Sequence, residues 1–506
     1  MSRTARAGIA AAFGYLQFAL AFVSGIVLVP FVLGRVGAQQ YGVWLGLGEL
    51  VAFAAMVDLG VLGVVPWLVA EREGAGDLEG ARRVAAGATA VAAAAGALFA
   101  AVGVGALLLA PGITGLPATA HAGVVGPLLL LVAGTAVAYP VRTFHALLIG
   151  VQDVGFIGVT ALLQVATGVG LTVALLLAGQ GLYALAAGAA APSLAIGLAS
   201  WLRMRRVRPE LLRGWTRPTW GEVRALAAQG LGSWSAGMGW KMVAASSGIV
   251  LLATAGPEVA VAFALTAKLG DVGMHLSWQV PDAGLVPLAQ LRGEGRAERE
   301  REVVVALLRL VLLGGGLVAA GVLAIYPSFV ALWVGPARFG GLGLNALLAA
   351  GVVAHSLNHG LFAAAATLGE RVRVGWAALA QGVVHLGAAL VLARVFGAEG
   401  VAAATLVGTA LAAYPAGVYF LRRAAGLTQR DVWAHAVAPW ALRAAPVLAA
   451  AAAVGVLGAR SGGWLPWALA PLVAVAYVWA MRPLYEGIPL PVPVRRVLAR
   501  LRLVPA

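Results

Sequence analysis

The chain has 506 residues, of which 61% are hydrophobic and 11% charged, with a mean hydropathy of +0.92. Soluble domains carry about 25% charged residues, so this composition excludes a water-soluble globular protein. The formal net charge is +15 and there is no Cys, which excludes structural disulfides, iron–sulfur clusters and thiolate zinc sites.

From the N-terminus, Arg3 and Arg6 precede an apolar run at 9–33. That run is long enough to cross a bilayer and has no small-residue cleavage site, so it reads as the first span and not as a removable signal. Further spans are predicted at 41–66, 84–110, 122–149, 155–178, 181–202, 226–254, 257–288, 303–330, 343–368, 375–396, 399–421, 441–459 and 463–481. Between Arg83 and Arg142, and again between Asp153 and Arg203, no Asp, Glu, Lys or Arg occurs. Each gap holds two crossings of roughly 20 residues and a turn. Backbone groups in lipid must be satisfied within the segment, so the spans are helices. The expected fold class is an all-α polytopic membrane protein with about 14 transmembrane helices.

The basic residues orient these spans. With a cytoplasmic N-terminus, the tails and even-numbered loops hold 27 Arg, and the odd loops hold Arg35, Arg338, Arg394 and Arg460. That asymmetry obeys the positive-inside rule and puts both termini in the cytoplasm. The net charge is therefore mostly a topology signal and not a nucleic-acid footprint. An amphipathic segment from Pro493 to Arg502, with four Arg, is expected to lie on the anionic inner leaflet.

Shifting the chain by 219 residues places Ala70 on Ala289, Gly74 on Gly293, Gly76 on Gly295, Glu79 on Glu298 and Arg82 on Arg301. The same shift places Gly150 on Gly369, Gly168 on Gly387 and Gly181 on Gly400, so spans one to six fall on spans seven to twelve. Six spans per half give the halves one orientation, as in transporters built from parallel repeats. The expected domains are a six-helix lobe at 1–203, an Arg-rich cytoplasmic linker at 204–225 and a second six-helix lobe at 226–424. Helices 13 and 14 with the tail make up 425–506. Two such lobes are expected to enclose a central cavity.

Ionisable residues within spans are functional candidates, because a charge at the bilayer centre costs at least about 2.5–3.5 kcal/mol. Span eight carries Lys268, Asp271, His275 and Gln279 at spacings of 3, 4 and 4, one helical stripe. Lys241 lies mid-span in span seven, too deep to snorkel. Glu49 and Asp58 lie in span two, Arg142 and His145 in span four, and His355, Asn358 and His359 in span ten. Lys241, Lys268 and Arg142 suit an anionic headgroup, while Asp58, Glu49, Asp271 and His275 suit ion coupling or gating. Lys268 and Asp271 could instead neutralise each other, and Asp58 could pair with a loop Arg such as Arg72. Under the repeat Glu49 is the counterpart of Lys268, a candidate pair between the lobes. His355, Asn358 and His359 read as inter-helix hydrogen-bonding groups and not as metal ligands, since the two histidines lack any nearby carboxylate. No Gly-x-x-x-x-Gly-Lys-Ser/Thr loop occurs, so no Walker-type ATP site is present.

Gly34-Arg35-Val36-Gly37 before Tyr41-Gly42, then Asp58-Leu59-Gly60, then Ala70-Glu71 and Gly76-Asp77 resemble the opening of bacterial polysaccharide transporters. These are the O-antigen and lipid-linked oligosaccharide flippases of the multidrug/oligosaccharidyl-lipid/polysaccharide exporter superfamily. The span number, the two lobes, Pro287 before the loop at 291–302 and the extra C-terminal helix pair extend the resemblance over nearly the whole chain. It implies a non-enzymatic, cofactor-free flippase in the cytoplasmic membrane that turns an undecaprenyl-diphosphate-linked sugar outward by alternating access. The partners it implies are the lipid-linked oligosaccharide, the bilayer, H+ or Na+, and polysaccharide assembly proteins. The family has no invariant catalytic residues, so Lys241, Lys268 and Arg142 rest on electrostatics alone.

Three alternatives are weaker. A multidrug cation antiporter of the same superfamily should carry an acidic residue in span one, which has none. A membrane glycosyltransferase or polymerase needs long exterior loops, and these are short. A lipid II flippase should show an Arg-Asp pair after span one, which is missing here.

Overall fold

The structure, a computed structural model, describes residues 3–215, 217–461, 464–485 and 488. Among them every regular element is helical, as a chain that must satisfy its backbone inside lipid requires. Eleven helical stretches are long and apolar enough to cross a membrane, and Leu465–Ala480 is a shorter apolar helix. The chain is a multi-pass membrane protein. The segment Pro493 to Arg502, expected on the inner leaflet, lies outside the described residues.

The first helices are α1 (Arg3–Val36), α2 (Ala38–Ala54), α3 (Val61–Gly74), α4 (Leu78–Thr114), α5 (Ala118–Gly150), α6 (Val154–Leu177) and α7 (Leu182–Val207). They are followed by α8 (Trp220–Ala244), α9 (Ser247–Thr254), α10 (Pro257–Asp282), α11 (Leu285–Gly293), α12 (Ala297–Val334), α13 (Leu342–Ala365), α14 (Arg371–Gly408) and α15 (Tyr414–Ala425). The last are α16 (Gln429–Val432), α17 (Ala438–Ser461), α18 (Leu465–Ala480) and α19 (Arg482–Tyr485).

One helical stretch, Leu342–Ala425, runs for 84 residues. Straight, it would be roughly 126 Å long, about four hydrocarbon cores. Two glycines in the left-handed region break it, Gly369 (φ 108) and Gly397 (φ 54). The chain doubles back at each. Asn358 Nδ2 donates to Gln381 Oε1 at 3.2 Å across the first turn, and Gly408 packs on Gln381 and His385 across the second. A residue with a Cβ would be strained at either glycine. These reversals divide the stretch into three segments, consistent with the spans predicted at 343–368, 375–396 and 399–421.

The chain forms two compact units, Met1–Met238 with Gly256–Glu258, and Gly239–Ala255 with Val259–Ala506. Helix α8 is divided between them, its part through Met238 belonging to the first. In the first unit α8 crosses the joint between α2 and α3 backbone to backbone: a Cβ on Gly60 would lie 2.8 Å from the Gly230 carbonyl oxygen. In the second, the end of α8 meets α14, where a Cβ on Gly382 would lie 2.8 Å from the Gly239 oxygen. Within the first unit α6 and α7 also touch at Gly168 and Gly188. Small residues at such crossings let helices approach closely in lipid, where apolar surface alone gives no preference for protein over acyl chain.

Element ends recur at the 219-residue offset. Helix α2 begins at Ala38 and α10 at Pro257, and α4 begins at Leu78 and α12 at Ala297. The glycines before them match in backbone angle, Gly37 (φ 84) with Gly256 (φ 91), and Gly76 with Gly295 (both φ 70). One feature does not recur. Span two breaks at Asp58-Leu59-Gly60, with Leu59 at φ 51 and Gly60 at φ 72, while α10 runs on to Asp282.

The loop arginines also tie helix ends together. Arg82 Nε donates to the Glu210 carbonyl at 2.6 Å, and its counterpart Arg301 donates to the Ala425 carbonyl at 2.7 Å. Arg208 pairs with Glu73 and with Glu210, each at 2.5 Å. Asp77 caps α4 by accepting from Gly80 N at 2.8 Å. That N–H, with Arg72, holds the Asp77 carboxyl below the usual carboxylate range. Arg72, one of the loop cations that could pair with Asp58, engages Asp77 at 2.9 Å.

Candidate functional site

In the first unit the polar candidates gather at the break in span two. A short turn, Ala55–Asp58, links α2 to the left-handed Leu59. Such a break frees carbonyls inside the membrane, which need donors. The Tyr139 hydroxyl donates to the Ala55 carbonyl at 2.5 Å, and Trp234 Nε1 donates to the Met56 carbonyl at 2.7 Å. Asp58 Oδ1 accepts from Gly60 N at 3.2 Å. Arg142, exposed on α5, holds its guanidinium carbon 5.5 Å from the Tyr139 ring centre. The Asp58 and Arg142 charges both act on the Tyr139 phenol, so the fold brings these two predicted residues to one aromatic side chain. Glu49 is half-buried on α2.

In the second unit the stripe on α10 faces away from that unit's packed core. Lys268, Asp271 and Gln279 are exposed and His275 half-buried, while Gly270, Met274, Trp278 and Pro281 on the other side are buried. Lys268 and Asp271 act on each other electrostatically, but no direct ion pair between them occurs among the described residues. His275 Nδ1 donates to the Asp271 carbonyl at 2.7 Å, one turn back. Lys241 is half-buried in the last turn of α8, just before the break between α8 and α9.

Beside the stripe lies a cluster of rings that the sequence reading did not assemble. Trp240 of α8 stands 5.7 Å from His275, 5.9 Å from Trp278 and 5.5 Å from His355 between ring centres. Trp278 and His359 stack in parallel, 4.0 Å apart with 2° between planes. Trp278 Nε1 donates to Ser356 Oγ at 3.2 Å. His359 Nε2 bonds Asp282 Oδ1 at 2.7 Å. The expectation of no nearby carboxylate is thus corrected for His359: α10 supplies one from 77 residues away. Asp282 continues the stripe of Lys268, Asp271, His275 and Gln279 by a further step of three, so the spacing signal that marked those four extended to it. Asn358 is spent as expected, in a hydrogen-bond chain through Gln381 to Thr409 Oγ1 at 3.2 Å per link.

Among the described residues no group of three or more His, Cys, Asp or Glu could hold a metal ion. A separate cavity of about 640 Å³ lies among the ends of α12 and α17 and the start of α18, lined by Ser328, Phe339, Trp464 and Trp467 among others. Its lining carries no titratable side chain, and it is remote from the stripe in sequence and element.

No protein-family model matches the chain, and no curated protein sequence matches it. Solved structures do. The lipid II flippase MurJ in an inward closed conformation superposes with a TM-score of 0.64 at 10% identity, covering 95% of this chain and 99% of that one. An inward-facing multidrug resistance MATE family transporter of the MOP superfamily gives a TM-score of 0.62 at 17% identity, covering 81% of this chain and 94% of that one. A MOP superfamily transporter from Pyrococcus furiosus, described as having a binding pocket of reversed polarity, gives 0.55 at 17% identity, with 82% and 93% covered. At such identities the likeness is one of fold: the chain has the fold of the MOP-superfamily transporters and of the lipid II flippase.

Proposed function

We propose that this protein is a flippase of the cytoplasmic membrane that moves an undecaprenyl-diphosphate-linked oligosaccharide, an O-antigen or exopolysaccharide repeat unit, from the inner to the outer face. The observation that carries this reading is the coverage. The flippase structure matches 95% of the chain and the MATE structures 81–83%, so the flippase likeness takes in most of the C-terminal helices as well. The chemistry agrees with it. Lys241 and Lys268 give the second unit two cations within its spans, and Arg142 gives the first unit one. A diphosphate crossing the membrane needs such partners, because a charge in hydrocarbon is costly. In this reading the two six-span halves alternate access to a cationic central cavity, and Asp58, Glu49, Asp271 and His275 couple or gate the cycle. The chain performs no chemistry on its substrate and is not an enzyme.

Lipid II as the substrate is the second reading, favoured by that same coverage. A cation antiporter is disfavoured because α1 holds no acidic residue for a cation.

A deletion strain tests these readings. The expected result is lipid-linked glycan held on the inner leaflet with cell-wall synthesis intact. Retained lipid II would favour the second reading, and normal outward appearance of both would overturn the first.

A further inference from the structure

Of the four arginines in the odd loops, two stand at the helix ends that border the cavity of about 640 Å³ among α12, α17 and α18. Arg338 falls between Pro336 and Phe339, both of which line it, and Arg460 directly follows the lining residue Ala459. Neither arginine pairs with a carboxylate among the described residues. Arg338 Nη1 donates to the Val334 carbonyl, which engages one arm of its guanidinium fork. Deeper in, the walls are apolar. Trp467 lines this cavity and also a second one of about 300 Å³, which continues along α12 and α18 to Leu317 and Ala474. From Leu332 to Leu317 the two follow α12 for roughly 22 Å, about the thickness of one leaflet with its headgroup layer. One polar atom interrupts the lining. Ser328 Oγ is buried without a hydrogen-bond partner, in a residue 8% exposed. Facing it is Gly458, where a Cβ would lie 2.5 Å from Ser328 Oγ and 2.5 Å from Pro466 Cγ, so the glycine keeps room beside the hydroxyl.

We propose that this cavity is a binding site for an anionic glycerophospholipid of the bilayer, its phosphate on Arg338 and Arg460, an ester carbonyl on Ser328 Oγ and an acyl chain in the groove of α12 and α18. The order of groups from the helix ends inward carries the assignment. Cations come first, and basic pockets between membrane helices suit anionic headgroups. A donor comes next: Ser328 lies six residues before the end of α12, roughly 9 Å below it. A hydroxyl left unbonded among apolar groups is costly, and a carbonyl acceptor relieves it. Apolar wall comes last, over the remaining depth of a leaflet. Phosphate, ester and chain follow each other in that sequence in a glycerophospholipid, whereas a soluble anion has nothing to place on the hydroxyl or in the groove. Trp464, 76% exposed at the start of α18, and Trp467 flank the entrance, where interfacial aromatics sit at headgroup level. The lipid fills the seam between α18 and α12 from the membrane side. On the orientation that the loop arginines predict, it belongs to the outer leaflet. The binding depends neither on that orientation nor on what the chain exports.

Native mass spectrometry of the purified full-length protein in detergent reads the binding, with dioleoyl phosphatidylglycerol and dioleoyl phosphatidylcholine as the titrated lipids. We expect the first phosphatidylglycerol to be held roughly tenfold more tightly than phosphatidylcholine, the scale of one charge-assisted contact. Arg338→Gln combined with Arg460→Gln should abolish that preference, and Arg394→Gln, an odd-loop arginine outside the cavity lining, should keep it. Ser328→Ala should weaken both lipids by about threefold, because both carry the ester carbonyl. If the double variant does not fold, Ala331→Trp decides: it puts bulk into the cavity and leaves both arginines in place, and it should lose the tight phosphatidylglycerol. A preference that survives loss of both arginines, or equal retention of the two lipids by the parent protein, overturns the proposal. Tighter retention of undecaprenyl phosphate through the same arginines also overturns it, by giving the cavity to the lipid carrier instead. The deletion strain's glycan export is a separate readout, so failure of this site and failure of the transport reading are told apart.

Discussion

The Tyr477 hydroxyl accepts from Trp440 Nε1 at 2.8 Å and faces the Leu312 and Leu313 carbonyls at 3.3 and 3.1 Å. The side chain is 1% exposed, so one oxygen joins α18 to α12 and α17 where water is absent. Tyr477→Phe leaves the Trp440 N–H buried without its acceptor. We expect a loss of about 1–3 kcal/mol, read as a lower melting temperature in detergent, with export spared at permissive temperature. Lys241 and Lys268 differ in kind, as charges set within apolar spans, and Lys268 is exposed on α10 with no direct ion pair among the described residues. Lys268→Ala should melt like the wild type yet export glycan at a rate reduced roughly tenfold or more, the scale of one lost charge-assisted contact. Lys268→Arg should keep most of the rate, and unchanged export by Lys268→Ala would remove it from the substrate path. These side chains were legible because a charge inside an apolar run stands out. Tyr477 was not, because a Tyr there looks like any other apolar-compatible residue.

At the scale of helices, the informative comparison is between span two and its counterpart in the second half. The two share entry glycines and spacing, yet only span two breaks at Asp58-Leu59-Gly60. The break is held by Tyr139, by Trp234 and by the crossing of Gly230 over Leu59 and Gly60. A methyl at Gly230 would collide with backbone on the facing segment, which cannot rotate out of the way. Gly230→Ala should cost about 1–3 kcal/mol, measured as thermal stability in detergent. Gly48→Ala is the control, since a Cβ there meets nothing within 4 Å, and it should melt like the parent. Equal melting of the two variants would show that the crossing has room. Hydropathy located span two and its flanking glycines, but Asp58-Leu59-Gly60 reads equally well as a helix interior. What decides for the break is that distant donors stand ready for the freed carbonyls.

Across the whole molecule, 27 Arg in tails and even loops against four in odd loops predict where each loop lies. A reporter that is active only outside the cytoplasm, fused after Arg35, Arg338 or Arg394, should be active; fused after Arg72, Arg213 or Arg430, it should be silent. Activity at Arg213 would invert the orientation, and with it the direction of the proposed transport. The sequence by itself determined the helical class, the fourteen apolar segments and the 219-residue recurrence, because each is a one-dimensional pattern of hydropathy, charge or glycine. Only the tertiary structure decided that α8 is divided between the units, that Tyr139 and Trp234 cap the break, and that Asp282 meets His359 on Trp278. Those pairings depend on the rotation and depth of each helix. Both are set by which small residues let neighbours approach, and a single strand of letters does not carry that geometry.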